Sequence, residues 1–248
     1  MRRKATREQL YWACHFEGLS PQAMADRFGY ANIWTLWKAF KHQDIPWPHT
    51  LIGTTQLSPR QRQIITGTIL GDAYVAPGGN HYYLRIRHCE AQRSFVEWKE
   101  QELQPFARKS GIQVYEPQGL QRQRVYEFGT YTHKEFDYYR KLFYPEGKKV
   151  VTPDVLAGVG DLALAVWIMD DGSYDPSRGY IKLATCSFTH TEHELMQAWF
   201  AAHYNITPMI HKVTGGYYTL VFSWRDTQLL IPRLYHHVLP CLRYKLGF

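Results

Sequence analysis

No stretch of the 248 residues is long and apolar enough to span a bilayer, so no membrane partner is expected. Cysteine is scarce and dispersed. Cys14, Cys89, Cys186 and Cys241 form no CxxC pair, which argues against a zinc knuckle or a disulfide framework and points to reduced thiols in an intracellular protein. The opening Met1-Arg2-Arg3-Lys4 is basic but lacks the apolar segment of a secretory signal, which also fits an intracellular location. No GxxxxGK[ST] loop is present, so nothing supports nucleotide hydrolysis. His190 and His193 stand three apart without an evident third ligand, and the adjacent His236 and His237 would diverge on a helix. Neither pair makes a convincing zinc site.

What is abundant is positive charge and aromatic surface. The formal net charge is +7, and 15% of the residues are aromatic. An excess of lysine and arginine favours a polyanionic partner, because each phosphate neutralised releases condensed counterions. Most aromatics fill cores, but tyrosine and tryptophan also stack on bases. An apolar content of 45% is enough for a packed core and shows no sign of disorder.

Residues 1–45 read as a small helical domain. Gly18 breaks a first helix, Ser20-Pro21 starts a second, and Ala23, Met24 and Phe28 share one of its faces. Gly29 ends it, and a third helix spans about 31–42. Two short helices around a glycine turn resemble a helix-turn-helix, although an ordinary three-helix packing unit has the same outline. On the first reading, Trp34, Lys38 and Lys41 lie on the exposed, DNA-binding side of the recognition helix, with Trp34 equally at home in a core. Ile45-Pro46-Trp47-Pro48 then makes a stiff start to a linker over 46–57.

The remainder divides into two similar halves, 58–150 and 151–248. Ile65-Thr66-Gly67-Thr68-Ile69-Leu70-Gly71-Asp72-Ala73 is small and apolar and then reaches a carboxylate. Leu164-Ala165-Val166-Trp167-Ile168-Met169-Asp170-Asp171-Gly172 does the same. Behind each lie two strands, a helix, a hairpin and a closing helix, an αββαββα order that occurs twice. The alternation Leu84-Arg85-Ile86-Arg87 puts the two arginines on one face of a strand, and Lys182 falls likewise in Tyr180-Ile181-Lys182-Leu183. Two antiparallel sheets with such faces would form a basic saddle for duplex DNA, unless the charges merely keep the sheets soluble. Gln121, Arg122, Gln123 and Arg124 sit in the hairpin loop of the first half, and Lys212 in a strand of the second, all within reach of bases or phosphates.

From about residue 57 onward, the paired apolar stretches and the repeat resemble the LAGLIDADG homing endonucleases of single-chain type. The resemblance implies an α+β fold with a pseudo-twofold axis, a monomer needing no protein partner, and a long double-stranded DNA target. It also implies cleavage of both strands across the minor groove with Mg²⁺. Mn²⁺ would be expected to substitute, and Ca²⁺ to occupy the site without turnover. Gly67 and Gly71 lie four apart on one helix face, where missing side chains let two helices approach. Val166 stands where the motif has glycine, so the packing cannot be symmetric. Alignment of the motifs pairs Asp72 with Asp171 as metal ligands, and the metal site takes in the residues that follow them, Ala73 and Gly172. Asp170 departs from the usual small residue and leaves open which acid of that pair binds. The family also uses a lysine near the end of each half. Lys148 or Lys149, with preference for Lys149, and Lys245 occupy those places as catalytic candidates or as phosphate-contacting surface residues. Gln92 and His190 read as helix-start residues in preference to members of a water network. A non-cutting binder on the same scaffold, a splicing maturase or a transcription regulator, is the alternative.

Overall fold

A computed structural model describes residues 5–15, 19, 21–43, 45, 56–118 and 122–248. Gly18, most of the expected linker over 46–57, and Gln121 lie outside these described residues. The chain separates into two compact units, Met1–Gln56 and Leu57–Phe248.

The first unit holds helices α1 (Arg7–His15), α2 (Pro21–Phe28) and α3 (Ile33–His42). Asn32 starts α3 by accepting from the Thr35 amide while the Thr35 hydroxyl group accepts from the Asn32 amide, a reciprocal cap that satisfies two otherwise orphaned donors. Leu10, Met24, Ala25, Leu36, Phe40 and Ile45 form this unit's own small core. Trp34 is not part of it. Its ring is 59% exposed, with the Lys38 ammonium 3.4 Å from its centroid.

The second unit runs α4 (Pro59–Leu70), β1 (Tyr74–Pro77), β2 (Tyr82–Cys89), α5 (Arg93–Glu102), β3 (Gln113–Tyr115), β4 (Val125–Gly129) and α6 (Lys134–Phe143). After the short α7 (Pro153–Ala157), the order repeats as α8 (Asp161–Asp171), β5 (Gly172–Asp175), β6 (Tyr180–Leu183), α9 (His190–Tyr204), β7 (Met209–Lys212), β8 (Tyr218–Phe222) and α10 (Trp224–Leu234). Each half builds one antiparallel sheet, ordered β1-β2-β4-β3 and β5-β6-β8-β7. The architecture is α+β with the repeat read from the sequence. Helix α5 stops at Glu102, because Pro105 has no amide to continue it.

The motif helices α4 and α8 pack along each other, and glycine is what lets them. A Cβ on Gly67 would lie 2.2 Å from the Ala163 carbonyl oxygen and 2.9 Å from the Val166 Cβ. One on Gly71 would lie 2.4 Å from the Asp170 Cβ. Val166 thus fills the space left by Gly67, and the departure from glycine in the second motif is matched by its partner. Ser58 caps α4 reciprocally with Gln61, and Pro59 supplies the first helical position. Gly160 has no side chain to cap α8. Gln63 of α4 reaches across, accepting from the Gly160 and Ala163 amides and donating to the Gly158 carbonyl. The helix pair is therefore fixed at its N-terminal end by a side chain and along its length by missing ones. Replacing Gly67 by alanine is expected to lower stability by about 3 kcal/mol, since a backbone oxygen cannot move aside as a flexible side chain would. An unchanged denaturant midpoint would contradict the close approach.

Candidate metal centre and nucleic-acid face

At the C-terminal ends of α4 and α8 the two halves bring three carboxylates together: Asp72, Asp170 and Asp171. Helix C-termini carry partial negative charge from unpaired carbonyls, so acids there need cations nearby. Each half supplies a lysine. Lys149 Nζ donates to the Gly71 carbonyl at 2.7 Å, and Lys245 Nζ donates to the Asp170 carbonyl at 2.8 Å and also to that of Met169. Gly71 and Asp170 are equivalent positions, each one residue before the aligned acid, so the two lysines grip their own motif helices in the same way. Lys148 is exposed.

Behind the acids lies a buried polar network. Lys99, on α5, has no exposed side-chain surface. It donates to Asp170 Oδ1 at 2.6 Å and lies 3.1 Å from His88 Nε2. His88, at the inner end of β2, places Nδ1 3.3 Å from Asp72 Oδ2 and Nε2 3.3 Å from Asp170 Oδ1. With the Lys99 ammonium directed at Nε2, that nitrogen acts as acceptor and the proton belongs on Nδ1, facing Asp72. The second half has a counterpart without lysine or carboxylate: Thr185 Oγ1 lies 2.7 Å from His193 Nε2, both buried.

The electrostatics separate the three acids. Burial pushes Asp72 up, but the hydrogen bond from His88 and the charges of Lys99 and Lys245 outweigh it, and the net shift is downward. Burial raises Asp170, opposed by Lys99 and His88. Asp171 is raised to about 7 by burial and by the negative charges of Asp72 and Asp170, only partly offset by Lys149 and Lys245. Its carboxylate makes no hydrogen bond among the described residues. Burial lowers all three lysines, against the pull of the carboxylates.

A divalent cation fits this arrangement. One ligand atom each of Asp72, His88 and Asp170 all lie within 4.8 Å of one another. Among the described residues the buried Asp170 Oδ2 has no hydrogen-bond partner, and Asp171 is raised by burial and by the charges of Asp72 and Asp170. Without added cation, the sign for stability follows. Between its ordinary value of 3.8 and about 7, folded Asp171 holds a proton that the unfolded chain has released, so stability falls as pH rises through that window. Urea unfolding is expected to show a higher midpoint at pH 5 than at pH 8. Asp171→Asn should flatten the difference, and a divalent cation should restore stability at pH 8. A midpoint that rises between pH 5 and pH 8 in cation-free buffer would contradict the clustering.

Strand register distributes the other candidates. Arg85 and Arg87 project from the sheet face opposite the core residues Leu84, Ile86 and His88. Arg122, Gln123 and Arg124 are exposed beside β4. Lys182 pairs with Val221 on the corresponding open face of the second sheet. Lys212 does not share that face. It pairs with Tyr218, one position on from His211↔Thr219, and so falls on the side of Ile210 and Leu220. Ala73 and Gly172 are buried at the strand starts. In the N-terminal unit, Lys41 lies over the Trp37 ring, which makes Trp34, Trp37, Lys38 and Lys41 one exposed stripe of α3.

His88 and Lys99 are absent from the candidates read in the sequence, yet both carry a signal. His88 has the parity of Leu84 and Ile86 in an alternating strand. Lys99 falls at helical spacing from Phe95, Val96 and Leu103, on the face that must be buried. A polar residue on an apolar face needs a partner.

The LAGLIDADG DNA endonuclease family matches residues 62–230. The chain is 28% identical over 208 residues to the cytochrome b mRNA maturase bI2 of Debaryomyces hansenii, covering 77% of this chain and 75% of the relative. It is 26% identical over 211 residues to the probable intron-encoded endonuclease 1 of Wickerhamomyces canadensis, covering 78% and 87%. The homing endonuclease I-WcaI, solved bound to its DNA recognition sequence, has the same fold. Its TM-score is 0.72 at 24% identity, over 85% of this chain and 92% of that one. No helix among the described residues is long and apolar enough to cross a membrane. With twin motif helices tipped by acids, two equivalent sheets and a family match spanning both halves, the chain belongs to the LAGLIDADG DNA endonuclease family.

Proposed function

We propose that this chain is a site-specific double-strand DNA endonuclease whose Asp72 and Asp171 hold Mg²⁺ against the scissile phosphates. The observation that carries the reading is that Asp72, Asp170 and Asp171 stand close enough to act on one another electrostatically, with Lys149 and Lys245 bound at the tips of the same two packed helices. Asp170 is the weaker ligand candidate, because its carboxylate is buried and already paired with Lys99. Mg²⁺ held by these acids would supply an activated water and neutralise charge on the attacked phosphate. Asp72 and Asp171 fix its position, His88 orients Asp72, and the two lysines set the charge around the leaving and attacking oxygens. Arg85, Arg87, Arg122, Arg124 and Lys182 align the duplex, and the α3 stripe of the separate N-terminal unit contributes Lys38 and Lys41 to further phosphate contact.

The test is cleavage of a supercoiled plasmid carrying the joined flanks of the gene's insertion point. Linearisation with Mg²⁺, its absence without the ion, and its loss in Asp72→Asn are expected. DNA binding should weaken steeply as salt increases. Salt-sensitive binding with no cutting by the unmodified chain on its flanking DNA or on sites selected from random sequence would overturn the nuclease assignment. It would favour the second reading, an RNA-splicing maturase, which the maturase relative supports.

A further inference from the structure

The two open sheet faces are equivalent in topology and unlike in chemistry. The first carries Tyr83, Arg85, Arg87, Gln113, Tyr115 and Glu127 by register. Its guanidinium groups are held in place. Arg85 Nη2 lies 2.8 Å from Glu127 Oε2, Arg87 Nε lies 3.9 Å from the same oxygen, and the Arg87 guanidinium lies 5.8 Å from the Tyr115 ring centroid. Arg108 lies 4.4 Å from the centroid of Tyr83 at the margin of the same sheet. The second face carries Ser173, Lys182, Met209, His211, Thr219 and Val221. No arginine occurs in β5 to β8. Met209 is 58% exposed and pairs with Val221, which is buried yet stands outside the main core.

Resting on the DNA-binding reading above, we infer that the duplex this chain recognises is chemically lopsided. The half-site under the first sheet is read at guanines, and the half-site under the second at thymine methyl groups. An arginine fork matches the O6 and N7 acceptors of guanine, and a fork already oriented by a carboxylate and a ring loses less freedom on binding. The second sheet offers no such fork. The exposed thioether of Met209, set over the buried Val221, presents apolar, adaptable surface, which discriminates through the C5 methyl that only thymine displays in the major groove. The lone Lys182 positions the backbone and reads little sequence.

The experiment is selection of bound duplexes from a randomised library by the full chain with Mg²⁺ withheld, followed by binding of the recovered consensus to variants. Guanine enrichment in one half and A·T enrichment in the other are expected. Arg85→Ala and Arg87→Ala should each flatten preference by roughly tenfold to a hundredfold at positions in the guanine half alone. Replacing thymine by deoxyuridine in the other half, which deletes only the methyl group, should weaken binding severalfold for the unmodified chain and leave Met209→Ala unaffected. Similar base composition in both halves, arginine variants that act on the A·T half, or indifference to deoxyuridine would overturn the inference while leaving a DNA-binding protein. Failure to retain any duplex at low salt would overturn the DNA-binding reading itself, and this inference with it.

Discussion

Exchanging Asp171 for asparagine is expected to lower strand cleavage by about a thousandfold with DNA binding retained. Metal-assisted hydrolysis draws several kcal/mol of transition-state stabilisation from the ion, and each ~1.4 kcal/mol is a factor of ten in rate. Asparagine keeps the shape and removes the charge that attracts the cation. The same exchange at Asp170 should behave differently. Asp170 is the partner of a fully buried lysine, so its neutralisation leaves that charge unpaired and lowers stability first. Asp171 is raised to about 7 by burial and its acidic neighbours, and makes no hydrogen bond among the described residues, so its loss relieves repulsion. Asp171→Asn should therefore fold at least as well as the parent at neutral pH, while Asp170→Asn should unfold at a lower denaturant concentration. Nicking assays at saturating protein, set beside urea unfolding of both variants, make the distinction. If Asp170→Asn loses cleavage at unchanged stability and Asp171→Asn cuts normally, the metal belongs on the buried trio of Asp72, His88 and Asp170 instead.

The parts of this site that were legible in the sequence are those with a local period. Gly67 and Gly71 four apart mark a helix face without side chains, and the acid that follows marks its tip. The apolar stretch that ends in an acid recurs in the second half and announces the repeat, and alternation in Tyr82–Cys89 gives the outward arginines. What stayed hidden depends on pairings between distant segments. Lys99 and Asp170 are 71 positions apart, and nothing near either one names the other. In the sequence, Lys212 is a basic strand residue within reach of DNA. Which face a strand residue takes relative to Lys182 is set by the β7-β8 and β6-β8 registers, and a shift of one position reverses it. Trp34 could not be assigned to core or surface from its own helix. The choice was made by Leu36 and Phe40, which occupy the buried side. His88 and Lys99 were within reach of periodicity, and would have been found by asking which polar residues fall on faces that must be dry.

Replacing Lys99 by methionine is expected to destabilise the larger unit by about 3–5 kcal/mol, the usual effect of leaving one member of a buried ion pair without its partner. Both side chains are fully buried, so solvent screening offers little relief. Methionine preserves most of the apolar stem, so lost packing contributes little, and the ammonium's contact with the Phe95 ring, 3.9 Å from its centroid, is lost with the charge. The double variant Lys99→Met/Asp170→Asn should be more stable than the sum of its single changes predicts, with a coupling of about 1–3 kcal/mol, because each removes the charge that the other would leave stranded. Urea unfolding followed by circular dichroism measures all three. Additive effects would mean that the pair contributes no mutual stabilisation and that Asp170 is buried for another reason. The consequence reaches Asp72. In the parent, Lys99 holds His88 Nε2 as an acceptor and so turns the protonated Nδ1 toward the first motif acid. Without that ammonium, the ring can present either nitrogen, and Asp72 loses the donor that keeps its carboxylate ionised and aimed. Lys99→Met should therefore also weaken divalent-cation binding by roughly tenfold to a hundredfold at temperatures where it remains folded, measured by terbium luminescence. Asp170 and Lys99 would then be read as the support that fixes one ligand of the pair, an asymmetry present in the first half and replaced in the second by the Thr185–His193 contact.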